Sequence, residues 1–247
     1  MPLMIDAPAR ECRRVNQTLA VLAAALLAPL PGFGFAALAH GMAGKDADFV
    51  AHSVGPQILP FFYLGAKHMA TGYDHLLFVI GTVFFLYQLR HVAIYVTTFS
   101  IGHSTTLMLG VLGGVHVNPF LVDAIIGLSV AYIAFDNLGG FKSLLGVQPN
   151  TKLAILIFGL VHGFGLATKV QELNPSRDGL AANMISFNVG VEVGQLLVLG
   201  VALTLIVWWR KTAAFSKQAV FANAAIMAAG FALMESQLAG YFVSAGA

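Results

Sequence analysis

Long apolar stretches, each about the length of a membrane-spanning helix, constrain this chain more than any other feature of its sequence. Of its 247 residues, 58% are hydrophobic and only 10% are charged, and the mean hydropathy is +0.81. A soluble domain has about 25% charged residues and cannot bury so large an apolar surplus. The bilayer is therefore the expected solvent, and an all-α, polytopic transmembrane helix bundle is the expected fold.

Six such stretches follow the N-terminal region, and a span needs about 20 residues. The predicted spans are Ile58–Leu89, His91–Leu112, Pro119–Leu138, Lys152–Thr168, Asn183–Trp209 and Val220–Val243. The first is long enough to be tilted or broken. We therefore predict about six spans in the mature protein, within a membrane domain that covers residues 58–247.

The N-terminal region has the pattern of a secretory signal peptide. Three arginines precede the apolar run Val15–Leu30, and Ala37-Leu38-Ala39 gives the small-x-small cleavage pattern. The sequence predicts a cleaved signal peptide over residues 1–39 and a short extracytoplasmic segment over residues 40–57. The alternative is a first helix that is not cleaved.

Charged residues in the short loops predict the orientation. The loops assigned to the inside carry only basic charge, from Arg90, Lys142, Lys152, Arg210, Lys211 and Lys217. This pattern follows the positive-inside rule. It predicts a bacterial-type inner (plasma) membrane protein with the mature N-terminus and the C-terminus outside. Nothing in the charge pattern indicates nucleic acid as a partner, and the single cysteine, Cys12, excludes a disulfide framework within the chain.

Several ionisable residues lie deep within the predicted spans, where a charged side chain is costly and indicates function. Four spans carry histidine or glutamate at similar depth. The candidate metal ligands are His68, Asp74, His75, His103, His162 and Glu192. Imidazoles with a carboxylate suit Ni²⁺, Zn²⁺, Fe²⁺ or Co²⁺, so a divalent metal ion of one of these kinds is predicted.

The spacing of His68 and His75 limits this prediction. The two residues are seven apart, which places them on one face of a regular helix but about 10 Å apart along it. They can share an ion only if the helix is interrupted, and Gly72 permits a break there. Otherwise they belong to two sites along a path, or one of them is a ligand and the other a hydrogen-bonding partner. Asp74 is also a candidate acceptor for an imidazole N–H.

Polar neighbours form stripes on the same helices. The supporting polar residues are Ser100, Ser104, Asp123, Asn188 and Gln195. Ser100 and Ser104 share a face with His103, and Asn188 and Gln195 share one with Glu192. Such stripes are expected to face the interior of the bundle. The alternative is that these residues only join helices by hydrogen bonds.

Four sequence elements surround these candidate ligands. They are Gly65-Ala66-Lys67-His68 with Gly72-Tyr73-Asp74-His75-Leu76-Leu77-Phe78, then Thr98 to Leu107 around His103, Val161 to Ala167 around His162, and Phe187 to Gln195 around Glu192. Taken together and in this order, they resemble the HupE/UreJ membrane proteins. The resemblance covers residues 65–195. This chain has Asp123 where the family usually has Glu, and Leu166 where it has Phe.

The resemblance implies a membrane protein associated with a hydrogenase, a urease or another metalloenzyme, usually described as a nickel permease. Our first hypothesis is therefore a divalent-metal permease or membrane metal-delivery protein. The second is an intramembrane metalloenzyme of hydrolase type, which a closed site without a path to both membrane faces would favour. The third is a structural or assembly subunit of a larger complex. The sequence contains no H-E-x-x-H or G-x-S-x-G motif to support an enzyme.

Overall fold

The computed structural model describes residues 44–246, and this part of the chain contains helices and no β-strand. The helices are α1 (Lys45–His52), α2 (Ile58–Thr71), α3 (Tyr73–Val83), α4 (Leu89–Gly113), α5 (Pro119–Asn137), α6 (Gly140–Leu145), α7 (Thr151–Glu172), α8 (Leu180–Trp209) and α9 (Phe215–Ala245). The predicted signal peptide lies outside the described residues, so its cleavage stays a prediction. The all-α fold class is confirmed.

Five of these helices, namely α4, α5, α7, α8 and α9, are long and apolar enough to cross a membrane. Each begins and ends within about five residues of a predicted span, which is the usual uncertainty of such boundaries. The first predicted span is divided into α2 and α3, which are separated by Gly72 in an extended conformation. Residues 44–246 therefore provide six crossings if α2 and α3 together form one.

Local sequence signals explain where several helices begin and end. Asn118 accepts a hydrogen bond from the backbone N–H of Leu121, and Pro119 takes the first helical position of α5. Asn150 caps α7 in the same way. Gly114 ends α4 with a φ of 67°, a left-handed conformation that favours glycine.

Three helix pairs form the bundle, α2 with α8, α4 with α7 and α5 with α9. Each pair is brought together at glycines. A methyl group at Gly190 of α8 would meet the Phe62 carbonyl of α2, and one at Gly163 of α7 would meet the His103 carbonyl of α4. Such small residues let backbones approach closely, which is how helices associate in lipid.

The short helix α3 lies in the middle of these pairs and contacts α2, α4, α5, α8 and α9. Its C-terminal end is held by Arg210, whose guanidinium donates to the carbonyl oxygens of Val83, Phe84 and Leu86. Charged donors near a helix C-terminus satisfy carbonyls that have no partner within the helix. At the other end of α3, Asp74 and His75 are buried. The N-terminal end of α3 therefore lies inside the bundle, where broken helices are tolerated.

The predicted extracytoplasmic segment contains α1, which packs against α2. Val50 is buried in the hydrophobic core, and the ring of Phe49 lies 5.9 Å from that of Phe61. Asp46 pairs with Lys67 at 2.7 Å. This segment is therefore part of the folded bundle.

Candidate metal centre

The break at Gly72 brings the first two histidines together. His68 lies in the last turn of α2 and His75 in the first turn of α3. Their ring centroids are 4.9 Å apart, about half the separation that a continuous helix would impose. The interruption that the spacing required for a shared ion is therefore present. The site is also tight, because a methyl group at Gly72 would lie 3.0 Å from the His68 carbonyl oxygen and 3.3 Å from His75 Nδ1.

His103 of α4 completes a group of three. One nitrogen from each of His68, His75 and His103 lies within 4.8 Å of the other two. Zinc and similar ions bind imidazole nitrogens at about 2.0–2.1 Å, so a bound ion would draw these nitrogens somewhat closer together. Three helices thus supply the donors.

His162 of α7 stands beside this group, with its ring centroid 4.9 Å from that of His75. Its Nε2 lies 3.0 Å from Ser129 Oγ, which donates its own proton to the Ile126 carbonyl at 2.6 Å. Ser129 must then accept from His162, so the proton is on Nε2. The Nδ1 atom of His162 keeps a lone pair and is available as a further ligand.

Asp74 orients the central histidine. Its Oδ1 accepts from the backbone N–H of His75 at 2.9 Å and from His75 Nδ1 at 3.1 Å. With the proton on Nδ1, the buried Nε2 atom of His75 keeps a lone pair that can bind an ion. This carboxylate–histidine arrangement is the usual support of metal-binding imidazoles, and it fixes both the tautomer and the ring orientation.

The group is enclosed by apolar and aromatic side chains. The four histidines are between 0% and 5% exposed. Phe99 lies against three of them, with ring centroids 5.2–6.3 Å away, and Phe187 lies 6.0 Å from His68. Within the described residues, both nitrogens of His68 and of His103 are buried without a hydrogen-bond partner, as are His75 Nε2 and His162 Nδ1. Buried polar atoms are costly unless satisfied, so six such nitrogens in one place indicate a ligand.

Glu192 does not join this group. The structure places it on the exposed side of α8, between Val189 and Leu196, which are 48% and 62% exposed. Glu192 neighbours the buried Asn188 and Gln195 as well as these two exposed residues, so it lies at the border of the two faces and its side chain is on the exposed one. Of the six candidate ligands, the structure groups His68, His75 and His103 with His162 beside them, and it places Glu192 outside this group.

The supporting polar residues divide into two kinds. Ser100 donates to Gln195 Oε1 at 2.8 Å and so joins α4 to α8. Asn188 is also buried, whereas Ser104 is half-buried, and neither forms part of the histidine group. Of these four residues, Ser100 and Gln195 make a hydrogen bond between helices, which is the alternative that the sequence left open.

Asp123 lies near the Glu172 end of the bundle and forms an ion pair with Lys169 at 3.1 Å. Both side chains are mostly buried, with 10% and 17% of their surface exposed. Neither Lys169 nor Ser129 was among the residues selected from the sequence. A lysine seven residues after His162 shares its helix face, and the one serine in the apolar run of α5 was the available signal for Ser129.

Comparison with known families identifies the family of this chain. Residues 44–245 match the family model described as HupE / UreJ protein. The chain belongs to the HupE/UreJ family. This match confirms the family that the four sequence elements indicated. All four histidines lie within the matched range. Neither the curated proteins nor the solved structures gave a match to this chain.

Proposed function

We propose that this HupE/UreJ protein is a divalent transition-metal permease or membrane metal-delivery protein. Its ion-binding centre consists of His68, His75 and His103, with His162 as an adjacent ligand. The observation that carries the proposal is the meeting of three imidazole nitrogens within 4.8 Å at a helix break inside the bundle. Discontinuous helices of this kind form the substrate sites of many transporters.

The centre is closed towards both ends of the bundle. Towards one end of the bundle stands the Lys169–Asp123 pair. Towards the other, Val96, Leu199 and Ile206 are buried in the hydrophobic core. A site closed at both ends corresponds to the occluded state of a transporter, and α3 is the short, discontinuous helix that links the two ends. In the proposed orientation, both ends of the mature chain are outside and the Lys169–Asp123 pair faces outward.

The ligand atoms of the centre limit which ions the protein can carry. Neutral imidazoles favour Ni²⁺, Zn²⁺, Co²⁺ or Fe²⁺ over Mg²⁺ and Ca²⁺, which prefer oxygen ligands. Nickel is the substrate that fits both the donors and the family. A hydrogenase, a urease or another metalloenzyme-related complex is then the proposed recipient of the ion.

Enclosure of the site favours one second candidate, an intramembrane metalloenzyme. Three imidazoles with an open position would lower the pKa of a metal-bound water. Such an enzyme also needs a general base near that water. Two carboxylates could in principle be this base. Asp74, however, accepts a hydrogen bond from His75, and Glu192 lies on the exposed side of α8.

Uptake into proteoliposomes tests the proposal. We expect vesicles with the wild-type protein to accumulate more ⁶³Ni²⁺ than empty vesicles. The uptake rate of the His75→Ala variant should be at least about tenfold lower than that of wild type, because loss of one ligand or its support typically lowers metal affinity 10–100-fold. Ser244→Ala, at the exposed end of α9, is the matched control and should retain the full rate. Equal uptake by wild type and His75→Ala would contradict the proposal. Metal binding without uptake would favour the metalloenzyme.

A further inference from the structure

The ion pair between Lys169 and Asp123 lies on the side of the histidine group that faces the Glu172 end of α7. Lys169 follows His162 by two helical turns on the same face of α7, about 10 Å along the axis. The Lys169 ammonium reaches Asp123 Oδ2 at 3.1 Å and Oδ1 at 3.2 Å. It also lies close enough to His68, His162 and Asp74 to interact with each electrostatically. A buried positive charge therefore lies beside a site proposed for a cation.

Counting charges shows what this lysine does to the empty site. Neutral histidines with Asp74, Asp123 and Lys169 give a net charge of −1. A divalent ion added to this set gives +1 if the ammonium stays, and 0 if it leaves. Uncompensated charge in a low-dielectric interior is costly, so the loaded site is most stable without the ammonium.

We propose that Lys169 is a tethered cation that competes with the transported metal ion and leaves Asp123 when the ion binds. This proposal rests on the proposed function and adds a specificity-determining residue to it. In the empty site the ammonium neutralises Asp123 and keeps the centre from holding monovalent or weakly bound cations. When a divalent ion with high affinity for imidazole enters, the ammonium moves toward the surface at the Glu172 end of α7.

The lysine side chain has the length and exposure for such a movement. Its side chain is already 17% exposed, so one side of it reaches the surface. Lysine carries its charge on a flexible four-carbon stem, and such side chains extend to the interface while their stems stay buried. Asp123, released from the ammonium, then contributes its negative charge to the loaded site.

Lys67 provides a matched control within the same bundle. It is also a partly buried lysine in an ion pair, with Asp46 at 2.7 Å. It directly precedes His68 in sequence, but its side chain is 38% exposed against 17% for Lys169, so water screens its charge more strongly. Removing the Lys67 charge should therefore leave the metal affinity nearly unchanged.

Calorimetric titration of the purified protein with NiCl₂ tests the proposal. We expect Lys169→Met to bind Ni²⁺ at least about tenfold more tightly than wild type, because a cation next to the site is removed. Lys169→Arg, which keeps the charge, and Lys67→Met should each stay within about threefold of wild type. An unchanged or weaker affinity of a folded Lys169→Met overturns the proposal, as does the same tightening in Lys67→Met.

Labelling of the wild-type protein supplies a second measurement that needs no variant. Acetylation of Lys169 by a water-soluble reagent, quantified by mass spectrometry, should rise at least about threefold with saturating NiCl₂, because the ammonium moves from a buried pair to the surface. Unchanged labelling in protein that binds nickel contradicts the movement.

The His75→Ala variant separates this proposal from the proposed function. If His75→Ala loses nickel binding while Lys169→Met behaves as wild type, the metal site stands and only the role of Lys169 fails. If neither wild type nor Lys169→Met binds nickel, both fail together. Binding by Lys169→Met alone supports the competition between the ammonium and the ion.

Discussion

At the scale of single residues, protonation in the centre is controlled from its periphery. Asp74 holds the proton of His75 on Nδ1, and Ser129 holds that of His162 on Nε2. Each contact frees the opposite ring nitrogen to act as a ligand. Side chains that do not touch the ion therefore determine which atoms can.

Replacing Asp74 by asparagine tests this control. The amide can still accept a hydrogen bond, but it lacks the charge that strengthens His75 as a ligand. We expect nickel affinity to fall about 10–100-fold, as for other supporting carboxylates. Calorimetric titration of detergent-purified protein measures this, with Asp178→Asn in the loop before α8 as the control. An affinity equal to that of wild type would show that Asp74 does not act on the ligand.

Ser129→Ala tests the second peripheral contact. Loss of the hydroxyl leaves Nε2 of a fully buried imidazole without its acceptor, so we expect a loss of about 1–3 kcal/mol in the free energy of unfolding. Reversible denaturation in detergent measures it, and Ser143→Ala in α6 is the control. Full stability together with full nickel affinity in Ser129→Ala would contradict the assigned role.

At the scale of elements, the short extended step at Gly72 has the largest effect on the site. It ends α2, starts α3 and places two histidines seven residues apart side by side. Helical spacing alone identified the condition for a shared ion, and the glycine identified where the break could occur. The sequence did not reveal that α3 would lie at the centre of the bundle, because that depends on how all three helix pairs pack around it.

Gly72→Ala tests the importance of this step. The added methyl group would lie 3.0–3.3 Å from His68 and His75 atoms, so one of the two must move. We expect nickel affinity to fall at least about tenfold, since misplacing a ligand costs as much as losing its support. Gly200→Ala is the matched control, because its methyl group meets nothing within 4 Å. An equal effect of the two substitutions on affinity would contradict the role of the break.

At the scale of the whole molecule, membrane spans and family could both be predicted from the sequence. Five long helices begin and end close to the predicted stretches, since apolar length alone defines a span. The composition of the centre could be predicted only in part. His68, His75, His103 and His162 were identified by their depth, but depth does not determine which side of a helix faces inward, and Glu192 therefore stayed in the predicted set.

The orientation of the bundle is a further prediction at this scale. The basic loops that contain Lys142 and Arg210 should lie inside, and the loop between α7 and α8 should lie outside. We expect a cysteine placed at Ser176 to react with an impermeant maleimide in intact cells, and one placed at Ser143 to react only after lysis, with Cys12 replaced in both. The reverse pattern would contradict the orientation.

X-ray absorption at the nickel edge tests the central claim most directly, because it reports the atoms bound to the ion. We predict that protein loaded with one equivalent of Ni²⁺ shows a first shell with at least three imidazole nitrogens at about 2.1 Å, close to the usual metal–histidine distance. His75→Ala should lower the imidazole count or lose the metal. A shell of oxygen atoms alone, or a spectrum unchanged in His75→Ala, would contradict a metal centre formed by these histidines.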